Sequence, residues 1–332
     1  MKRIFLLFIV LHSCTTNNTT TQSVDDVFVA GSIEETGTLF VWKNGKVIDI
    51  NCKNLTTIKS LYVSLSDDIY IAGSKSNGIL NTTAVINKNG NDKKLIISGK
   101  ESDLCYINEI DSEIYAIGID NDRIALWKNG NPMTLISTNS PTILTSAFVS
   151  NGKQYVVGYA SDEKGQNSIA KLWINDQELD LTDGKYRAYA HSVYADNLNI
   201  YVVGTVYPNK YNGVATLWVN GNSQSLANEN EDSNAYAVCV SGKNVYVVGA
   251  KWNEKFSHHV ATFWENGECF DLTDGTKNAE ATAIVIHNED IYIAGYEWIS
   301  PNHSVGIIWK NKKVLYVLDE GAHTRIDALY VK

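Results

Sequence analysis

Apolar residues fall along this chain in short runs, each ended by a glycine. The plainest follows the form Val-Tyr-Val-Val-Gly, with variants at Val27–Gly31, Ile69–Gly73, Ile114–Gly118, Gln154–Gly158, Ile200–Gly204, Val245–Gly249 and Ile291–Gly295. The seven closing glycines stand 42, 45, 40, 46, 45 and 46 residues apart. A run apolar on both faces predicts a strand that must be covered on both sides. A repeat of this length points to a propeller or a solenoid.

The unit around Val245 shows the pattern most fully. An alternating stretch with small residues at Ala235 and Ala237 predicts a first strand, and a Ser-Gly-Lys-Asn turn leads into the second. The third strand ends at Trp264, and Asn266-Gly267 supplies the two φ > 0 positions of a type I′ hairpin. The fourth strand is the most polar and suits an outer edge. The hairpin recurs at Asn44-Gly45, Asn89-Gly90, Asn129-Gly130 and Asn220-Gly221, and is relaxed to Asn175-Asp176 and Asn311-Lys312. Trp42, Trp127, Trp173, Trp218, Trp264 and Trp309 share one slot, which Asn87 takes in the second unit. One ring per unit at fixed register predicts packing between blades.

In every unit this slot precedes a strand-one reference position by 19 residues, the last being Ala328. The C-terminal segment Asp327–Val331 is thus a first strand without its second, and Val27–Ala30 is a second without its first. A solenoid would leave both as exposed edges. Pairing them closes an all-β, seven-bladed β-propeller of four-stranded blades over residues 23–332. The unit resembles bacterial extracellular propeller repeats with an Ala-x-x-Trp-x-x-Gly core after a Val-Val-Gly strand, of the HAF type, and kelch-like propellers. It has neither the His-Ala-Phe run nor the kelch double glycine. The resemblance therefore implies fold and an extracellular or envelope compartment, and assigns no site.

Ahead of the repeats, Lys2 and Arg3 precede the apolar run Ile4–Leu11. Eight residues span roughly 12 Å as a helix, too short to cross a bilayer, so residues 1–14 are expected to be a signal segment. Leu11-His12-Ser13-Cys14 resembles a lipobox, which implies lipidation at Cys14 and a bacterial envelope protein anchored at the outer membrane or its periplasmic face. Residues 15–22 are polar and of low complexity, suited to a flexible tether. A net charge of −9 with no basic run beyond the signal disfavours nucleic acid and anionic lipid headgroups, leaving the lipid as the membrane contact. Cys52, Cys105, Cys239 and Cys269 show no pairing or metal spacing and read as buried, inert thiols.

The repeat breaks three residues after the strand-two glycine. Early units carry Glu34, Ser76, Asn121 and Ser161 there, whereas the last three carry Tyr207, Trp252 and Trp298. Those two-to-three loops also hold His258, His259 and His303. Aromatic rings beside histidines suit stacking on a sugar or anchoring a protein. Adjacent histidines on a strand face opposite ways, so a metal site is not expected. No nucleophile elbow, zinc-binding helix, phosphate loop or Asp-box occurs, and no cofactor is implied. The expected protein is a monomeric, non-catalytic scaffold that binds a carbohydrate or an envelope or extracellular protein through the loops of its last three blades. The rival is a hydrolase or lyase at the mouth of the central channel, which requires ionisable side chains converging there. Metabolic labelling with a fatty-acid analogue should mark the wild-type chain and spare Cys14→Ala; equal labelling would remove the anchor.

Overall fold

The computed structural model describes residues 25–78, 81–97, 101–138, 140–162, 165 and 167–332; Cys14 and the expected signal and tether lie outside them. Among the described residues, twenty-eight strands form seven four-stranded antiparallel sheets. Blade 1 combines Thr324–Val331 with Val27–Ile33, Thr38–Lys43 and Lys46–Ile48. Blades 2 to 7 follow in order, with first strands at Thr57–Val63, Ser102–Ile110, Thr142–Ser150, Arg187–Ala195, Ser233–Ser241 and Ala279–His287. The C-terminal strand pairs with Val27–Ile33, with Ala328 opposite Ala30, so the ring closes as the repeat predicts. Beyond that ladder, the amide of Asp26 donates to the carbonyl of Lys332 at 2.8 Å.

The six slot tryptophans are each at most 2% exposed, which settles them as packing residues. Each joins a cluster shared by its own blade and the preceding one: Trp218 sits with Tyr155 and Val157 of blade 4, and Trp264 with Tyr201 and Val203 of blade 5. Removing such a ring typically costs about 3–5 kcal/mol. In blade 2 the slot is held by polar bonds instead. Asn87 Nδ2 donates to the Asn51 carbonyl at 2.9 Å and to Asp92 Oδ1 at 2.6 Å, and its Oδ1 accepts from Gly90 N at 2.9 Å.

The hairpin asparagine does two jobs. It adopts φ between 50° and 53° in all seven blades. Its Oδ1 also accepts from the amide that opens strand two: Val27, Ile69, Ile114, Gln154, Ile200, Val245 and Ile291, at 2.8–3.0 Å. Glycine alone offers the first property; asparagine offers both. That is why the second turn position relaxes to Asp176 and Lys312 while the asparagine stays.

The strand-two glycine answers to a different demand. In every blade it lies opposite a β-bulge in strand one, where one residue has no partner. A Cβ added at Gly73, Gly158, Gly204 or Gly249 would meet the strand-one carbonyl of Thr57, Ile143, Tyr189 or Asn234 at 1.9–2.0 Å. The other three glycines meet theirs at no more than 2.1 Å. The bulge also corrects one register. Trp127 precedes the bulged Thr145 by 18 residues, but Trp42 precedes Lys59 by 17, so Ser60 and not Leu61 is the blade 2 equivalent of Ser146. The connection into blade 2 is one residue shorter than a constant spacing assumes.

Gly249→Ala should destabilise by about 2–4 kcal/mol in denaturant unfolding, since backbone must move. Gly242→Ala, at φ +60° with open space around it, should cost only about 1 kcal/mol.

Candidate functional site

The bulge decides what faces the central channel, because its extra side chain leaves the alternation of the strand. The seven bulge residues are Lys59, Cys105, Thr145, His191, Tyr236, Thr282 and Asp327. Three bond back to the backbone. Thr145 Oγ1 donates to the Ala190 carbonyl at 2.7 Å, Thr282 Oγ1 to that of Ile326 at 3.2 Å, and Cys105 Sγ to that of Ile117 at 3.5 Å. The other four, Lys59, His191, Tyr236 and Asp327, join Thr145 and Thr282 in lining a cavity of about 570 Å³ at one mouth of the channel. Glu280 and Arg325 of strand one and Tyr159 and Tyr296 of strand two complete its wall.

The wall has two halves. On blades 4 to 6 it is aromatic, lined by Tyr159, His191 and Tyr236; Tyr189 links them, edge-on to Tyr159 at 4.6 Å and 6.3 Å from His191, which lies 5.7 Å from Tyr236. On blades 7, 1 and 2 it is ionic, with Glu280, Arg325, Asp327 and Lys59 in sequence around the ring. Arg325 Nε sits 2.9 Å from Asp327 Oδ1. Asp103 of blade 3 lines an adjoining cavity that shares Lys59.

Enclosure perturbs these groups. Burial lowers the His191 imidazole to about 4, so it is neutral at pH 7. Burial raises the Asp327 carboxyl against the opposing charges of Arg325 and Lys59, and raises that of Asp103 against its bond to the Leu104 amide and the charge of Lys59. The Tyr236 and Tyr296 phenols are pushed well up, first by burial and then by the Glu280 carboxylate that both approach. The mouth thus combines neutral donors and acceptors with ring edges in a partly desolvated space.

The residues singled out by the broken repeat occupy strand ends instead of loops. Strand two of blades 5, 6 and 7 runs to Tyr207, Asn253 and Ser300, so pairing reaches the aromatic position in blade 5 and continues past it in blades 6 and 7. Their destinations differ. Tyr207 packs inside a surface stack: it meets Tyr189 edge-on at 5.9 Å, the Arg187 guanidinium covers its ring at 4.2 Å, and it is not among the residues lining the channel cavity. Trp252, 39% exposed, meets its cross-strand neighbour His259 at 5.2 Å, and His259 Nε2 reaches Asp232 Oδ2 at 3.3 Å. His258 points the other way and shares a cavity of about 390 Å³ with Trp298 and Lys277. Trp298 also packs against His323 at 3.9 Å, whose Nδ1 meets Glu34 at 2.9 Å. His303 stands apart, paired with Asp319 at 2.7 Å. Among the described residues, no cluster of three or more His, Cys, Asp or Glu side chains is placed to hold a metal ion.

Sequence reasoning passed over His191, Tyr236, Glu280, Arg325 and Asp327. A signal was present, since the residue before the strand-one reference position changes from Cys to Thr, His, Tyr and Asp around the ring. The expectation of buried thiols also needs correction: Cys52 and Cys105 are buried, but Cys269 is exposed on the outer strand of blade 6. That strand faces solvent on its outer side, so a short thiol there is uncovered.

No protein-family model and no curated protein matches the chain. Solved propellers do. The Pyrococcus horikoshii acylaminoacyl peptidase aligns at 12% identity and TM-score 0.50, over 87% of this chain and 49% of that one. Citrobacter koseri AztD aligns at 9% and 0.45, over 93% and 99%. The propeller domain of the trilobed protease from Pyrococcus furiosus aligns at 10% and 0.46, over 85% and 84%. At these identities the likeness is one of fold.

The His191 titration yields a signed expectation. Its folded value of about 4 lies below the ordinary 6.5, so the unfolded chain binds more protons between these limits. Its contribution to stability is present above that window and lost as pH falls through it. The His191→Gln variant should therefore lose less stability than wild type between pH 6.5 and 4, and NMR should find the wild-type imidazole neutral at about pH 5.5.

Proposed function

We propose that this protein is a carbohydrate-binding propeller, held at a bacterial envelope through Cys14, whose ligand enters the channel mouth. The carrying observation is the aromatic arc of Tyr159, His191, Tyr236 and Tyr296 meeting the ionic arc of Glu280, Arg325, Asp327 and Lys59 around one concavity, with Tyr189 packed against Tyr159 and His191. Sugar rings present apolar faces that pack on aromatic side chains and hydroxyls that both donate and accept. A wall of neutral imidazole, phenols and partly buried carboxyls meets those needs. A concavity of this size admits a few sugar units, whereas a protein partner needs a broad surface of roughly 800 Å² per side. The anchor reading rests on the sequence of residues 1–22 alone.

A catalytic reading has one observation in its favour: neutral His191 stands beside Tyr236, whose hydroxyl meets Glu280. That arrangement suits proton transfer on a bound sugar. Glycan-array screening followed by calorimetry tests both readings. Tyr159→Ala and Arg325→Ala should each weaken the identified glycan about tenfold, while Trp252→Ala and Trp298→Ala should change it by less than about twofold. The opposite ranking would move the site to the outer strand ends. Recovery of intact glycan after long incubation supports binding alone, and cleaved or unsaturated products would establish catalysis.

A further inference from the structure

A second cavity lies at the seam of blades 4 and 5, away from the channel. It holds about 320 Å³ and is carved by an exception to the repeat. In blade 4, Trp173 pairs across the ladder with Glu178, and Lys171 with Asp180. Lys171 Nζ bridges both carboxylates at 2.6 Å, and Trp173 Nε1 donates to Glu178 at 3.1 Å. Blade 6 sends Lys251 from strand two to Asp271, at 2.8 Å, and to Cys269. In blade 5 every one of these positions is short or apolar. Trp218 pairs with Ser223 and Thr216 with Ser225, and the counterpart of Lys251 is Val206. All five residues line the cavity.

The vacancy leaves an unanswered donor. Trp218 is 1% exposed and its Nε1 has no hydrogen-bond partner. In the ladder position where blade 4 places Glu178 opposite Trp173, blade 5 places Ser223 opposite Trp218, and both Trp218 and Ser223 line the cavity. Three other slot tryptophans also leave Nε1 unpaired, so the orphan alone decides nothing. What Trp218 adds is a cavity large enough for a ligand that brings an acceptor. An unmet buried N–H costs on the order of 1–3 kcal/mol, which such a ligand would recover.

The lining selects the ligand's chemistry. The hydroxyls of Ser223 and Ser225 offer paired donor and acceptor capacity, Thr216 Oγ1 can accept while it donates to the Val214 carbonyl at 2.9 Å, and Tyr186 supplies a ring at the rim. Among the described residues that line it, Asp183 and Glu229 are the charged groups. Lys185 stays over the Tyr186 ring, 4.9 Å from its centroid. Two carboxylates in the wall disfavour an anion there. We infer that the blade 4–5 seam is a second ligand site, taking an uncharged polyol of about monosaccharide size whose hydroxyl oxygen accepts from Trp218 Nε1. This site shares no residue with the channel mouth and stands independently of the function proposed there.

The test is calorimetry and saturation-transfer NMR on a Tyr159→Ala/Arg325→Ala background, which removes a ring and a charge from the channel mouth. The probes are D-glucose, D-galactose, D-mannose, myo-inositol and D-glucuronate. At least one neutral probe should bind saturably in the millimolar range, and glucuronate at least about tenfold more weakly. Copying blade 4 into blade 5 by Thr216→Lys, Ser223→Glu and Ser225→Asp should abolish binding and leave the melting temperature no lower. If that variant folds poorly, Ser223→Gln places a neutral acceptor before the indole and should weaken binding several-fold. No saturable binding to about 50 mM would overturn the inference. So would a neutral probe indifferent to these substitutions, or glucuronate binding as well as the neutral sugars.

Discussion

The close approach of a strand-one carbonyl to a strand-two glycine is the contact on which this molecule depends. Each blade has a bulge in its inner strand, and the backbone before the bulge turns its carbonyl to within about 2 Å of where a Cβ would stand. Only glycine leaves that space. The glycine permits the bulge, and the bulge takes one side chain per blade out of the strand alternation. Where that side chain is Thr or Cys it bonds back to the backbone of its own or the next blade. Where it is Lys59, His191, Tyr236 or Asp327 it becomes a channel group. The repeat's most regular residue thus creates its most variable position.

Around this inner constraint the outer parts are locked by two devices that leave function free. The tryptophans fill each seam from the following blade, and the hairpin asparagines tie turn to strand through backbone and side chain together. Neither device uses the channel side of strand one or the outer ends of strand two. Chemistry can therefore change at His191 or Tyr207 without unsettling the frame. Blade 5 shows the same freedom at the outer ladder, where Thr216, Ser223 and Ser225 replace an ion triad that blade 4 buries beneath its tryptophan. The frame tolerates this because Trp218 still fills its seam.

The ring, the strand order and the closure were legible because they repeat: seven glycines, seven asparagines and six tryptophans each report one local demand. The candidate site was legible only in part. Tyr207 was noticed as a departure and packs between Tyr189 and Arg187, one ring removed from the side chains that line the channel mouth. Trp252 and Trp298 were noticed by the same rule but lead to other places, because equal offsets on adjacent blades place rings side by side only if their rotamers and neighbours agree. Trp252 finds His259 across its own hairpin, whereas Trp298 finds His323 on the connection into blade 1. The adjacency of His258 and His259 was read correctly as pointing two ways.

By itself the sequence determined the architecture, since period, turn chemistry and apolar runs are local properties that add up to a closed ring. It also determined the absence of clustered positive charge. The tertiary structure decided which polar residues meet. His191, Tyr236, Glu280, Arg325 and Asp327 are separated by roughly one repeat or more for the most part, and they converge because rotation about the ring axis brings equivalent strands to one rim. That rotation also encloses them, and enclosure is what holds His191 neutral and raises the buried carboxyls. Convergence and desolvation are properties of the ring, so no single repeat could announce them.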